Sequence, residues 1–399
     1  MFINNGAVLE INCDIGYKLD GNKWIFCKEE TWSSNIGQCL RTCPPIYSTS
    51  NMKVTCRHKN QTTENCTDAV DGTLAKFECA SYYEDLGLRN MPVHLCHNGL
   101  WNQRTPECVP ACGQKSVNAT SLITEGTTVN HGDYPWQAAL YNVENNILIC
   151  GGSLITARCV TDFKGKIHPR DLYMVAVGKY YRSYNDSRDV NKAQFSSVSI
   201  VANKNNKNLY LQEIFIPRQY KGSSQYFVGD IAILVTTKTF TISQRVQPVC
   251  VDWKSNYTSE LSNLSSNSYG YVTGWGFTSE NENPSEELKE LKVPLVTYEQ
   301  CNQNLPEDYE AFLTDDKFCG GYLDQGIGIC RGDTGSGLVL KHKGRYYVTG
   351  IVSLGSQSPT GGCDSQQYGF YTSVNRYAEE FILEKVSRFK PEDTKMDRQ

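Results

Sequence analysis

The sequence predicts an all-β, disulfide-bonded chain: two small cysteine-rich modules, then a large domain of many short strands. Three observations carry this. Seventeen cysteines are present, densest between Cys13 and Cys112, where large apolar residues are sparse. Small domains with thin cores use disulfides as staples, and those persist in oxidising compartments. Beyond Glu125, short apolar or alternating runs recur between turn residues: WQAALY, LYMVAVG, IAILV, YGYVTGWG and YYVTGIVSLG. Many strands at regular spacing make a sandwich or a pair of barrels. Only one stretch, Val374 to Val386, carries a helical stripe, through Phe381, Ile382, Lys385 and Val386.

Composition removes several function classes. The chain has 399 residues, enough for two or three domains, and 39% of them are hydrophobic, enough for a sizeable core. A net charge of -4 without a basic face argues against nucleic-acid binding. No apolar run is long enough to predict a transmembrane helix. No metal or cofactor is expected. Six N-x-S/T sequons, at Asn60, Asn65, Asn118, Asn185, Asn256 and Asn263, fit a secreted surface. Residues 1–12 lack the basic start and apolar centre of a signal peptide. The odd cysteine count leaves one half-cystine over, so the expectation is a secreted chain whose sequence here begins inside a domain.

The elements follow in order. Residues 1–40 carry Cys13, Gly16-Tyr17, Cys27, Trp32 and Cys39. They resemble the later part of a sushi module, in which four cysteines pair first to third and second to fourth. That resemblance implies Cys13–Cys39 and leaves Cys27 alone. Residues 41–110 repeat the pattern with Cys43-Pro-Pro, Cys79, Cys96, Trp101 and Cys108, and add Cys56 and Cys66. Six cysteines allow 15 connectivities. The resemblance implies Cys43–Cys96, Cys79–Cys108 and, by remainder, Cys56–Cys66. Residues 111–122 are a polar connector, 123–390 the large domain, and 391–399 a charged tail.

The large domain carries ordered motifs: Asp133-Tyr134-Pro135-Trp136-Gln137, Cys150-Gly151-Gly152-Ser153-Leu154-Ile155, Val228-Gly229-Asp230-Ile231-Ala232, Val272-Thr273-Gly274-Trp275-Gly276, Cys330-Arg331-Gly332-Asp333-Thr334-Gly335, Gly350-Ile351-Val352-Ser353 and Gly369-Phe370-Tyr371-Thr372. In this order they resemble the trypsin-like serine proteases. The resemblance implies a chymotrypsin-like double β-barrel with a C-terminal helix. It also implies the pairs Cys150–Cys159, Cys301–Cys319, Cys330–Cys363 and Cys112–Cys250.

That chemistry needs a serine, a histidine that takes its proton and a buried carboxylate that orients the histidine. Asp230 stands at the carboxylate's position. Thr334 stands at the serine's, with a β-methyl that restricts its rotamer. In the family the histidine immediately precedes the cysteine closing the first small disulfide loop. Taking that cysteine as Cys159 puts Arg158 at the histidine's position, in a segment too short for the histidine and its flanking strand. His168 and His131 read as surface or structural histidines. Asp333-Thr334-Gly335-Ser336 resembles an aspartic-protease signature without the required second copy. Arg331-Gly332-Asp333 spells an integrin-binding tripeptide in a loop expected to turn inward. Ser336 as a displaced nucleophile lacks a base.

In the family, cleavage frees an apolar N-terminus that pairs with the aspartate at Asp333. The matching bond here is Leu122–Ile123, which a trypsin-like activator would not recognise. Gly328 lies at the pocket base and Gly355 and Gly369 at its walls, so the pocket is uncharged. Sushi-type modules and a leucine before the cleavage point resemble the insect modular serine proteases, which act in hemolymph upstream of Toll and melanisation signalling. The resemblance implies a non-catalytic homologue in an extracellular cascade, with recognition proteins, cascade proteases or inhibitors as partners. The competing readings are an active endopeptidase, if the stretch Ile155 to Cys159 misreads its transcript, and a purely structural adhesion protein.

Overall fold

The computed structural model describes residues 5–85, 93–115, 127–156, 159–162, 173–197, 200–202, 210–212, 214–253, 257, 268–277, 283–330, 332–355 and 366–389. The chain divides into two compact units, Met1–Val109 and Pro110–Gln399.

The first unit is built from short antiparallel strands. Val8–Glu10 pairs with Trp24–Lys28, and Tyr17–Asp20 with Gln38–Arg41. Cys13–Cys39 ties this module together. Cys27 is unpaired, as expected, but only 4% exposed, a position that shields it from other thiols. A five-stranded sheet follows, with Met52–His58 next to its centre, between Gln61–Glu64 and Leu74–Cys79. Met52, Val54 and Cys56 alternate inward along that strand, the period-2 pattern of a half-buried strand. Their cluster is rich in cystine: Cys43, Cys56, Cys66, Cys96 and Cys108 are all in it. The bonds are Cys43–Cys96, Cys56–Cys66 and Cys79–Cys108.

The second unit holds two seven-stranded antiparallel sheets. One runs through Gln137–Asn142, Ile147–Leu154, Cys159–Asp162 and Ala232–Val235. The other runs through Lys289–Val296, Tyr269–Gly274, Gly337–His342, Arg345–Leu354, Gly369–Ser373 and Lys317–Gly320. In this second sheet Lys289–Val296 also pairs with Lys317–Gly320, which closes six strands into a barrel. Closure removes the exposed edges that an open sheet would leave. Trp136, Trp275, Tyr141 and Tyr371 are among the largest fully buried side chains. A helical run from Val374 to Phe389 follows, with a π-helical stretch at Ala378–Leu383. It docks through Val374, Tyr377, Ala378 and Ile382. Among the described residues no helix is long and apolar enough to cross a membrane.

Cys112–Cys250 and Cys301–Cys319 are bonded as the resemblance implied. Cys330 is also disulfide-bonded, while Cys363 lies outside the described residues. The expected Cys150–Cys159 bond is not compatible with the strand register. Ser153 faces Thr161 and Leu154 faces Val160, so Cys159 falls opposite the position after Leu154. At about 3.3 Å per residue that is about 16 Å along the strand from Cys150. A disulfide spans about 7 Å between Cα atoms at most.

The same register corrects the reading of Arg158. Cys159 opens the strand Cys159–Asp162, which lies between Ile147–Leu154 and Ala232–Val235. The strand expected to be missing is therefore present, and Arg158 precedes it instead of following it. The chain after Asp162 is where the family's histidine would come. Residues 163–172 contain His168 and no cysteine, and they lie outside the described residues.

Candidate functional site

The site is assembled from a loop on the second sheet and an aspartate on the first. The loop runs from Cys330 to the strand Gly337–His342. Gly332 (φ 103°) and Gly335 (φ 85°) adopt backbone conformations that side chains with a Cβ rarely tolerate, so glycine is required at both turns. Between them Asp333 points inward. Its Oδ1 accepts a hydrogen bond from the Gly276 amide at 2.9 Å, and its Oδ2 one from the Cys330 amide at 3.1 Å. A Cβ on Gly274 would lie 2.1 Å from Oδ1, and one on Gly276 2.4 Å from Oδ2. The two glycines of the V-T-G-W-G segment thus leave the space this carboxylate fills. Burial pushes its pKa up to about 6 against the opposing pull of the two amides. An enclosed carboxylate cannot serve an integrin-type partner, which removes that reading of Arg331-Gly332-Asp333.

Thr334 is half-buried where the two sheets meet. Its carbonyl accepts from the Gly151 amide at 3.0 Å, and the Gly335 amide donates to the Val352 carbonyl at 2.9 Å. Among the described residues no group hydrogen-bonds the Thr334 hydroxyl. Ser336 is fully buried, and its Oγ accepts from Gln137 Nε2 at 3.4 Å. Gln137 Oε1 in turn accepts from Thr273 Oγ1 at 2.7 Å. A Cβ on Gly151 would come within 2.0 Å of Ser336 Oγ. Ser336 fills the interior that Gly151 leaves open, so it is a packing residue and not a displaced nucleophile.

Asp230 is fully buried ahead of the strand Ala232–Val235, and Ser353 Oγ donates to its Oδ2. Val352 and Ser353 are adjacent on one strand. Consecutive residues therefore tie down the Thr334 loop and the Asp230 carboxylate. Burial raises the phenol pKa of Tyr220, and the Asp230 charge adds to it. A buried network lies beneath. Asp316 accepts from the Gly229 amide at 2.8 Å, Tyr377 OH at 2.7 Å and Thr314 Oγ1 at 2.6 Å. It pairs with Lys317 Nζ at 3.1 Å, which also donates to the Phe227 carbonyl at 2.7 Å. Burial works against the Asp316 charge, but these partners outweigh it and hold its pKa low. Burial lowers the Lys317 pKa although Asp316 and Asp230 both favour its charge. Nothing in the sequence marked this network, because Asp316-Lys317 reads as an ordinary exposed pair.

The other candidates separate. His131 stacks on Tyr180 at a centroid distance of 3.8 Å, and His342 lies against Tyr257. Leu122, Ile123, Asn118, Asn256 and Asn263 lie outside the described residues. Asn60 and Asn185 are exposed, whereas Asn65 is half-buried with its Oδ1 accepting from the Ser48 amide at 2.7 Å. Sequence reasoning missed Lys115 in the connector. Its ammonium lies 3.8 Å from the Tyr134 ring centroid and 5.1 Å from that of Tyr346, and pairs with Glu290 at 3.2 Å. Among the described residues no cluster of His, Cys, Asp or Glu is arranged to hold a metal. Of the glycines expected at a pocket, Gly328 precedes Ile329, and Gly355 and Gly369 both face that residue.

Comparison with known proteins agrees with this architecture. The sushi repeat profile matches residues 3–39 and the trypsin profile residues 123–380. Clotting factor C of Tachypleus tridentatus is 27% identical, covering 93% of this chain and 40% of its own. The modular serine protease of Drosophila melanogaster is 26% identical, covering 97% of this chain and 60% of its own. The venom serine protease Bi-VSP of Bombus ignitus is 27% identical, covering 88% and 91%. This chain therefore spans about half the length of the first two relatives. With the trypsin profile running over well more than half of its residues, the chain belongs to the trypsin family, with a sushi repeat ahead of the protease-type domain.

Proposed function

We propose that this chain is a secreted, non-catalytic member of the trypsin family that acts by binding proteins of an extracellular proteolytic cascade, in an arthropod hemolymph setting. One observation carries the reading: no described residue hydrogen-bonds the hydroxyl of Thr334, the residue that the family pattern puts at the nucleophile's position. An alcohol without a base stays protonated and is a poor nucleophile at neutral pH. The sequence after the strand Cys159–Asp162 supports this, since no His-Cys pair follows it. Six disulfides among the described residues support an oxidising, extracellular compartment. Similarity to a clotting factor and a modular serine protease supports the cascade. Asn60 and Asn185, exposed in sequons, are the glycosylation sites this reading favours.

A second reading, an active endopeptidase, draws on the retained frame around Asp230 and Asp333. The two are separated by cleaving the chain at Leu122–Ile123 and assaying peptide amides with Leu, Phe, Val or Arg before the scissile bond. Loss of the serine or histidine of a triad costs about a million-fold in turnover, so only trace hydrolysis is expected. Turnover near the usual enzyme median of about 10 per second would sink the non-catalytic reading.

A further inference from the structure

The pocket walls hold a feature that neither the family relationship nor the proposed function contains. Ile329 is 5% exposed and packs in a cluster with Val272, Leu338, Val352 and Tyr371. A Cβ built on Gly369 would meet its Cδ1 at 2.4 Å and its Cγ1 at 2.5 Å. A Cβ on Gly355 would lie 3.0 Å from its carbonyl oxygen and 3.8 Å from its Cγ1. Glycines at walls leave room for something to lie between them, and here that volume is already occupied by an isoleucine of the same chain. The preceding residue, Gly328, contributes no side chain to push it aside.

We infer that Ile329 closes the side-chain pocket of this cleft, so that a polypeptide bound there presents glycine or alanine at that position and no larger residue. The inference rests on reading Gly355 and Gly369 as walls of a substrate-type slot. It makes Ile329 a specificity-determining residue of the binding function. Large apolar or basic side chains are excluded by volume, because a filled core site resists added atoms. A partner therefore engages the cleft mainly through its backbone and through side chains that lie outside the pocket.

The test is a mutant cycle with a binding readout. Gly369→Ala in the otherwise unchanged chain should lower Tm by about 5 °C or more, since its Cβ collides with Ile329. In an Ile329→Ala background the same change should cost less than half as much. Should Ile329→Ala fail to fold, Ile329→Val, which removes one methyl group, serves the same cycle. Indole is then titrated while the Gly355 and Gly369 amide signals are followed by NMR. Only the Ile329 variant should show saturable shifts. Equal cost of Gly369→Ala in both backgrounds, or equal indole binding by the unchanged chain, would overturn the inference. Neither readout needs turnover, so a catalytically active chain would defeat the non-catalytic reading while leaving this one standing.

Discussion

The two sides of the cleft have kept different things. On the Thr334 side the loop is packed to the level of single atoms. Gly274 and Gly276 make a cradle, Asp333 fills it, and Ser336 fills the gap left by Gly151. The departures expected from the family pattern are Thr334 and Ser336, and Ser336 is accommodated by packing against Gly151. On the Asp230 side the carboxylate and its Ser353 partner are in place, but the sequence after the strand Cys159–Asp162 carries no His-Cys pair. The difference shows what folding itself enforces. Packing around the loop is held by the cost of unfilled or overfilled space. The identity of a hydroxyl at the surface of that packing costs the fold almost nothing and is free to vary.

The largest expected effect comes from overfilling the cradle. Gly274→Ala or Gly276→Ala puts a methyl within 2.1 or 2.4 Å of a carboxylate oxygen. Asp333 cannot retreat without giving up its amide hydrogen bonds, so each change should destabilise by about 3 kcal/mol or more. Gly229→Ala, on the Asp230 side, offers the contrast. Its φ of 76° penalises a Cβ, but the nearest neighbour, Gln219 Cγ, is 3.2 Å away and on a flexible side chain. That change should cost about 1–2 kcal/mol. Urea denaturation of the three variants decides it. Equal losses on both sides would show that the Thr334 loop is no more tightly constrained than the Asp230 turn.

A second, smaller effect concerns the cradle's charge. Burial raises the Asp333 pKa from 3.8 to about 6. The native state therefore holds this proton more tightly than the unfolded chain does. Stability from this group is full below about pH 4, falls as pH rises through about 6, and is flat above it. Two pKa units correspond to about 3 kcal/mol. The carboxylate is enclosed although the residue as a whole is only half-buried, so about 2 kcal/mol is the expected fall. Asp333→Asn should flatten stability across that window, with slope and not absolute stability as the readout. A chain cut at Leu122–Ile123 should behave differently, because a new ammonium beside Asp333 would favour its charge. An unchanged slope in Asp333→Asn would mean that other carboxylates control this range.

Much of this was legible in the sequence, and the exceptions share a cause. The ordered glycine and tryptophan motifs announced the two-sheet domain, and the sushi and protease patterns gave six disulfides that the structure contains. The family pairing assigns Cys159 to Cys150, whereas strand register decides which cysteines can meet. The strand that Cys159 opens pairs Val160 with Leu154 and Thr161 with Ser153. The packing roles of Ile329 and Ser336 were invisible for a related reason. A side chain's role in filling space depends on what faces it across the fold, here Gly369 and Gly151, far away in sequence. Lys115 and Lys317 were hidden by composition, since lysines are ordinarily solvated and only burial beside Glu290 or Asp316 makes them structural.

The smallest expected effect tests the cleft most directly. Thr334→Ser removes one methyl from a half-buried position, so stability should change by about 0.5 kcal/mol or less. Activity should not appear either. The serine hydroxyl would gain rotamer freedom, but it would still face no described hydrogen-bond partner, and a hydroxyl needs a base to become a nucleophile. Labelling with an active-site-directed fluorophosphonate reads this without requiring turnover. The single variant should label no faster than the unchanged chain. Strong labelling of Thr334→Ser would place a competent base beside it, and His168, downstream of the strand Cys159–Asp162, is the first residue to replace. If His168→Gln then abolished that labelling, the Asp230 side would have kept its chemistry after all, and the methyl of Thr334 would be the sole block.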